Sequence, residues 1–461
     1  MSFAATGWQQ EDGEWRYYDR SGSPVENEWK KSGNSWFWLD ENGYMATSQL
    51  IEDEDNYYYV DENGIQVKNQ WRELENEDPG EDDMDTAWYY FGPNAKAYKA
   101  PDSGKTTFKT IVKANGASKK FAFDSEGRML YGWVNDQSER VTGEDAWQNA
   151  EYYLGGYGDG EMRVNQWEKL DVEDDEQEDD DFDGWYWFYF RSNGKKTVDG
   201  TKTINGKKYR FEEHGNAVFN WFATASNATA TPGDMFYSQP QDSWLSTGWF
   251  KTVPGEDVDP EGYADGDERW FYATKDGEIV KSEIKKINGY YYGFDEYGKM
   301  LEGLYKLSVN DRNITSYEEI ETEDDLPEAD EGWDVYYFGG SAKDGAMKTG
   351  TATIDIDGEK YTYNFRKSGD DRGKGYNGIN DGVIYEKGKR IEADKDEKLK
   401  VVTLDSDDED ESGDFLVNTS GKIQKSKKNV KDGDDRYYCT DSKGRVTYQG
   451  TEKWTADMDK E

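Results

Sequence analysis

The sequence predicts an all-β chain, a solenoid of stacked β-hairpin repeats with acidic loop insertions. Three observations predict it. Aromatic strands recur at a fixed spacing, each beside a Gly turn. Rings replace an aliphatic core in the composition. No stretch carries a long amphipathic helical period.

The first element is the repeat. Trp8, Trp29, Leu50 and Trp71 fall at a constant spacing of 21 residues. Between them lie the clusters Trp15-Arg16-Tyr17-Tyr18, Trp36-Phe37-Trp38 and Tyr57-Tyr58-Tyr59, followed by the turns DRSG, DENG and DENG. A short segment carrying Val25, Met45 or Val67 then leads to the next Trp or Leu. Alternating aromatics favour a strand, and Asn-Gly or Ser-Gly favours a tight reversal. An isolated hairpin is marginal in water, but stacked neighbours bury each other's aromatic faces, as in a solenoid.

Beyond residue 74 similar units recur at 119–133, 151–167, 207–221, 269–284 and 289–304. The interval from turn Gly to closing residue stays at 6 or 7, while the segment before the next aromatic strand varies and is often acidic, as in ELENEDPGEDDMD and DVEDDEQEDDDFDG. The chain thus divides into regular 21-residue aromatic hairpin repeats (1–74), longer hairpin repeats with acidic inserts (75–349) and degenerate hairpin repeats with fewer Trp (350–461).

Composition supports a thin fold. A length of 461 residues would make roughly three globular domains at about 100–200 residues each. Only 34% of residues are hydrophobic, 34% are charged, and mean hydropathy is −1.12. Such values often mark disorder, yet 15% of residues are aromatic, with 18 Trp and 34 Tyr. These rings bury a large apolar face while a polar edge stays wet.

The net charge of −43 argues against nucleic acid and anionic membrane surfaces as partners. Cations and basic surfaces remain. One cysteine, Cys439, allows no disulfide within the chain. No apolar run approaches the roughly 20 residues of a membrane span. The start, MSFAATGW, is not a signal peptide. The expectation is therefore either a cytoplasmic protein or a secreted or cell-surface protein whose export signal has been removed.

The units resemble the cell-wall-binding or choline-binding repeats of Gram-positive surface proteins, the C-terminal repeats of large clostridial toxins and streptococcal glucan-binding proteins. The likeness rests on a Gly-Trp, an aromatic triplet, a Gly turn and a Met or Val before the next Gly-Trp. It is carried by TGWQQEDGEWRYYDRSG (6–22), STGWF (246–250) and INGKKYRFEEHGNAVFNW (204–221), while 348–369 is similar to degenerate repeats in surface proteins of gut clostridia. The resemblance implies hairpins stacked in a superhelical solenoid, export, and ligand sites between hairpins where aromatic rings cage a quaternary ammonium.

Carried over, it names three cages: Trp8 and Trp15 with Trp38; Trp29 and Trp36 with Tyr58; Trp249 and Trp270 with Tyr292. A cation over such faces gains about 0.5–2 kcal/mol per contact. The plain alternative is that these rings are only stacking core. Departures favour that alternative: the Gly before Trp is Glu28, Gln70, Gln166 and Asn220 elsewhere, and Leu50, Ile284 and Leu304 replace the Trp. Acidic inserts are also expected to lengthen the spacing between neighbours.

Those acidic segments suggest calcium at Asp257, Asp259, Asp265 and Asp267, or at Asp179 to Asp183, against a solvated charge run. No other cofactor is expected. An enzyme is not expected. Among so many carboxylates, close pairs arise by chance. His214 lies in the turn FEEHGN, Cys439 in the strand RYYCTD with no histidine beside it, and GGYGDG (155–160) opens no helix. The reading is a non-catalytic extracellular protein that attaches to cell-wall polymer, a choline-like cation or another glycan. A structural rod without ligand is the first rival, and a charged decoy for a basic protein the second. Self-association stays open.

Overall fold

The computed structural model describes residues 6–77, 79–80, 83–174, 184–223, 234–327, 332–339, 345–405 and 411–456. The chain is nearly all β and forms two compact units, one of Met1–Phe219 with Gln241–Trp244, the other of Asn220–Pro240 with Leu245–Glu461. Both units fall across the middle stretch of the sequence. Among the described residues no helix is long and apolar enough to cross a membrane.

The first unit begins with Gly7–Glu11 paired to Glu14–Tyr18, Glu28–Ser32 to Ser35–Leu39, and Gln49–Asp53 to Asn56–Val60, all antiparallel. Each hairpin thus joins the strand carrying Trp8, Trp29 or Leu50 to the aromatic strand that follows it. The reversal sits between them: Asp12 and Gly13 both have positive φ (51° and 96°), the requirement of a two-residue primed turn that matches strand twist. The DRSG and DENG turns come later and have a different job. Asp19, Asp40 and Asp61 each accept two backbone N–H bonds through Oδ1, so the side chain holds the turn.

After that turn a return segment joins one hairpin to the previous one. The Met45 N–H donates to the Trp15 carbonyl (2.8 Å), and the next N–H, of Ala46, donates to the Trp38 carbonyl (2.9 Å). Gln66 and Val67 repeat this with Trp36 and Tyr59 (2.9 and 2.8 Å). Successive N–H groups of an extended chain point opposite ways, so one short segment serves two hairpins.

The same unit continues with Gln70–Glu75 paired to Thr86–Phe91, Lys109–Val112 to Ser118–Phe121, Trp133–Val134 between Arg140–Val141 and Tyr152–Tyr153, Gln166–Asp171 to Trp185–Phe190, and Gly200–Ile204 to Lys207–Phe211. Strict alternation is visible in Trp185–Phe190, where Tyr186, Phe188 and Phe190 are buried and Trp185, Trp187 and Tyr189 are half-buried.

The pairings correct one expectation. The acidic segments 76–85 and 172–184 lie between two paired strands of one hairpin, not between neighbouring hairpins. Segment 253–268 of the second unit does the same between Gly248–Thr252 and Arg269–Ala273. In chain order they join the two strands of one hairpin and do not come between neighbouring hairpins.

The second unit opens with Asn220–Ala223 paired to Met235–Ser238, then the Gly248–Thr252 hairpin. Wider sheets follow. One orders Tyr290–Phe294, Glu283–Ile287, Asn313–Glu319, Gly303–Asn310 and Asp334–Phe338; another is built from strands within 350–390. Their cores mix Leu, Ile and Val with Tyr and Phe. Two short hairpin sheets, Leu399–Leu404 with Gly413–Asn418 and 430–450, complete it.

Candidate ligand sites at the hairpin joints

The register places the rings. In the first hairpin Trp8 stands opposite Tyr17, and Trp15 opposite Gln10. Trp8 packs against Tyr17 (ring centroids 5.4 Å) and against Phe37 of the next hairpin (5.3 Å), both edge-on. In that next hairpin Trp38 stands opposite Trp29 and Phe37 opposite Lys30, so they leave on opposite faces. The grouping of Trp8 with Trp15 and Trp38 is therefore corrected by one residue: Phe37 enters the joint, and Trp38 packs on Trp29 (5.2 Å). Trp15 lies at the rim, 42% exposed.

At the second joint Trp29 meets Tyr58 at 5.3 Å, as grouped from the sequence, and its Nε1 donates to Asp53 Oδ2 at 3.1 Å. Trp36 is 43% exposed, with the Lys31 ammonium 6.0 Å from its ring centre. The third grouping is brought together. Trp249 lies 6.4 Å from Trp270 at 84°, 5.1 Å from Tyr272 and 4.8 Å from Tyr292 of the next hairpin.

Two further joints of this kind were missed. Trp71 meets Trp88 (6.5 Å, 76°), Tyr90 (5.1 Å) and Phe121 (5.0 Å). Trp167 meets Trp187 (6.2 Å, 87°), Tyr189 (5.2 Å) and Tyr209 (4.5 Å). The signal was in TAWYYF and WYWFYF, but the acidic tips separate each strand from its Trp. In all three joints two tryptophans stand nearly at right angles and a third ring arrives from the following hairpin. The Trp88 and Trp270 indole N–H groups are buried without an acceptor among the described residues.

The missing Gly before Trp is also explained. Gly7, Gly132 and Gly248 have positive φ ahead of Trp8, Trp133 and Trp249. Where that Gly is absent, Asn27, Asn69 and Asn165 take the left-handed conformation one residue earlier (φ 49°, 52° and 50°). Asn is among the few side chains that tolerate it.

One joint holds the protein's own cation. Trp133 packs on Tyr153 and Phe188, both at 5.1 Å, with the Lys196 ammonium 5.7 Å from its ring. Lys196 is 5% exposed and donates to the Trp147 carbonyl and, at 3.0 Å, to the Gln148 carbonyl at the end of the short helix Ala146–Asn149. Burial pushes its ammonium down to about 8, with Glu151 opposing.

In the described loop three of the four aspartates named for calcium have other partners. Asp259 caps the helix Pro260–Asp265, accepting the Gly262 N–H at 3.0 Å; Asp265 and Asp267 pair with Arg269 (3.6 and 3.3 Å); Asp257 is exposed. Among the described residues no group of three or more acidic, His or Cys side chains is placed to hold a metal. The segment Asp179 to Asp183 lies outside the described residues. His214 is a turn residue beside Glu213 (3.4 Å), its ring edge-on to Trp147. Cys439 is buried and its Sγ accepts the Asn429 N–H.

The joints define a repeat protein of aromatic β-hairpins, each hairpin donating one ring to its predecessor. In its residues the repeat resembles choline-binding and cell-wall-binding repeats. No family model matches the chain. A curated relative, "Glucosyltransferase-S" of Streptococcus mutans, is 28% identical over 131 residues, 28% of this chain and 8% of that protein's length. Among solved structures, CbpJ from Streptococcus pneumoniae has a TM-score of 0.39 and 17% identity over 80% of this chain and 100% of that one. Choline binding protein F of the same organism, solved with a peptidoglycan analogue, has 0.37 and 18% over 81% and 99%.

Proposed function

We propose that the protein is a non-catalytic, extracellular attachment protein that binds a compact organic cation of the choline type, carried by cell-wall polymer, at the joints of Trp71, Trp167 and Trp249. The observation that carries this is the paired tryptophans at 76–87° with a third ring from the next hairpin. Faces set at right angles converge on a small volume and favour a compact cation. Each site is weak, and several in one chain bind a repeating polymer by avidity. The net charge of −43 also favours a cationic ligand.

The rival is a structural rod, favoured by the lysine that already sits on Trp133. Titration with choline chloride, followed by Trp fluorescence and calorimetry, separates the two. The attachment reading expects saturable millimolar binding that Trp88→Ala, Trp187→Ala and Trp270→Ala each reduce in stoichiometry while the variants stay folded. Absence of any saturable signal leaves the rod.

A further inference from the structure

A cavity of about 610 Å³ lies in the first unit, between the tip of the Gln70–Glu75 hairpin and segment 131–142. None of the paired tryptophans described above lines it. Its volume falls in the roughly 300–1,000 Å³ range of small-molecule sites. The Tyr131 and Tyr157 rings meet edge-on at 5.3 Å in its wall, and Met129 and Leu130 add apolar surface.

The lining carries charges of both signs: Asp83, Asp102, Asp124 and Glu139 with Lys99, Arg128 and Arg140. The Arg140 guanidinium lies 4.2 Å from the Tyr131 ring centre and pairs with Asp83 at 2.6 Å; Arg128 pairs with Asp124 at 2.7 Å. A phosphate would have to compete with those carboxylates, and a quaternary ammonium with those guanidiniums. A neutral polyol competes with neither, since a carboxylate oxygen accepts from more than one hydroxyl group.

Ser138 supplies the independent observation. It is 4% exposed, it lines the cavity, and its hydroxyl has no hydrogen-bond partner among the described residues. It is held there in a left-handed conformation (φ 61°), its N–H donating to Thr106 Oγ1 at 2.7 Å. A buried hydroxyl without a partner is costly, and a ligand hydroxyl both donates to and accepts from it.

We propose that this cavity is a neutral-saccharide site, walled by Tyr131 and Tyr157 and read by the Ser138 hydroxyl. It deepens the attachment reading by adding a sugar ligand, and it uses none of the joint residues.

The test uses the full chain with isomaltotriose, maltotriose and triacetylchitotriose, by calorimetry and saturation-transfer NMR. At least one trisaccharide should bind saturably, and excess choline chloride should not displace it. Ser138→Gly removes the hydroxyl and relaxes the backbone, so it should melt no lower than the parent while binding several-fold more weakly. Tyr131→Ala should lose at least ten-fold, and Trp270→Ala nothing. If no trisaccharide binds, or if Ser138→Gly and Tyr131→Ala bind as the parent does, water alone fills the cavity and the proposal falls. Choline binding lost with saccharide binding kept would overturn the joint reading instead.

Discussion

The joints at Trp133 and Trp249 are built alike and closed differently. Each has a Trp opposite a Tyr and a ring arriving from a later strand. At Trp249 the position two residues before the cross-strand Tyr272 is Trp270; at Trp133 it is Glu151, before Tyr153. Where the second Trp is missing, Lys196 lies over the remaining ring, and the Glu151 carbonyl accepts its backbone N–H. Two facing positions thus differ between the joints: Glu151 with Lys196 in one, Trp270 with Met300 in the other, each pair joined by a backbone hydrogen bond (2.8 and 2.9 Å).

The charges buried nearby also differ in sign. Asp295 follows Phe294, which stacks on Trp249 at 5.8 Å. It is 4% exposed, and burial pushes its carboxyl up to about 7, although it accepts the N–H groups of Tyr297 and Lys299. The equivalent Asp19 in the first hairpin is exposed, and its bonds from Ser21 and Ser23 hold it below the ordinary range.

The largest effect should be common to both joints. Trp133→Ala and Trp249→Ala should each cost about 3–5 kcal/mol in denaturant unfolding, because each Trp is packed by several rings. A negligible cost at either would end the claim that the two are built alike. Next comes Asp295. The folded state holds its proton more tightly than the unfolded chain, so its contribution to stability falls as pH rises from about 4 to 7. Asn keeps the acceptor oxygen, as Asn135 and Asn418 already show at other turns. Asp295→Asn should therefore gain about 2–4 kcal/mol at pH 8 and little at pH 4.

Lys196 should act in the opposite direction. Its folded value lies below that of the free chain, so the unfolded state binds more protons and stability rises between about pH 8 and 10.5. Lys196→Met should flatten that rise, worth about 1–3 kcal/mol; an unchanged alkaline profile would place the ammonium elsewhere. The smallest effect is on melting. Choline at 100 mM should raise the melting temperature of the parent by a few degrees, and by less in Trp270→Ala.

Much of this was legible in advance. The 21-residue spacing and the aromatic-turn pattern identify the hairpin stack, because period and turn chemistry are local. Tyr58 and Tyr292 were placed at their joints because their hairpins keep a simple register. Phe37 was missed in favour of Trp38 because neighbouring residues on a strand face opposite ways, and ring size is a poor guide to facing. The Trp71 and Trp167 joints were hidden because pairing across a long tip is not a local property. Lys196 gave no signal at all, since its partners are carbonyls and a ring 48 or more residues away in the chain.

The acidic tips have a wider consequence. A hairpin can lengthen outward without moving the rungs above and below it, since loop entropy grows slowly with length. The rim of each stack is thus free to vary in size and charge while the interior keeps its step. A chain built on this plan changes what it displays at a hairpin's end without rewriting the rings that join one hairpin to the next.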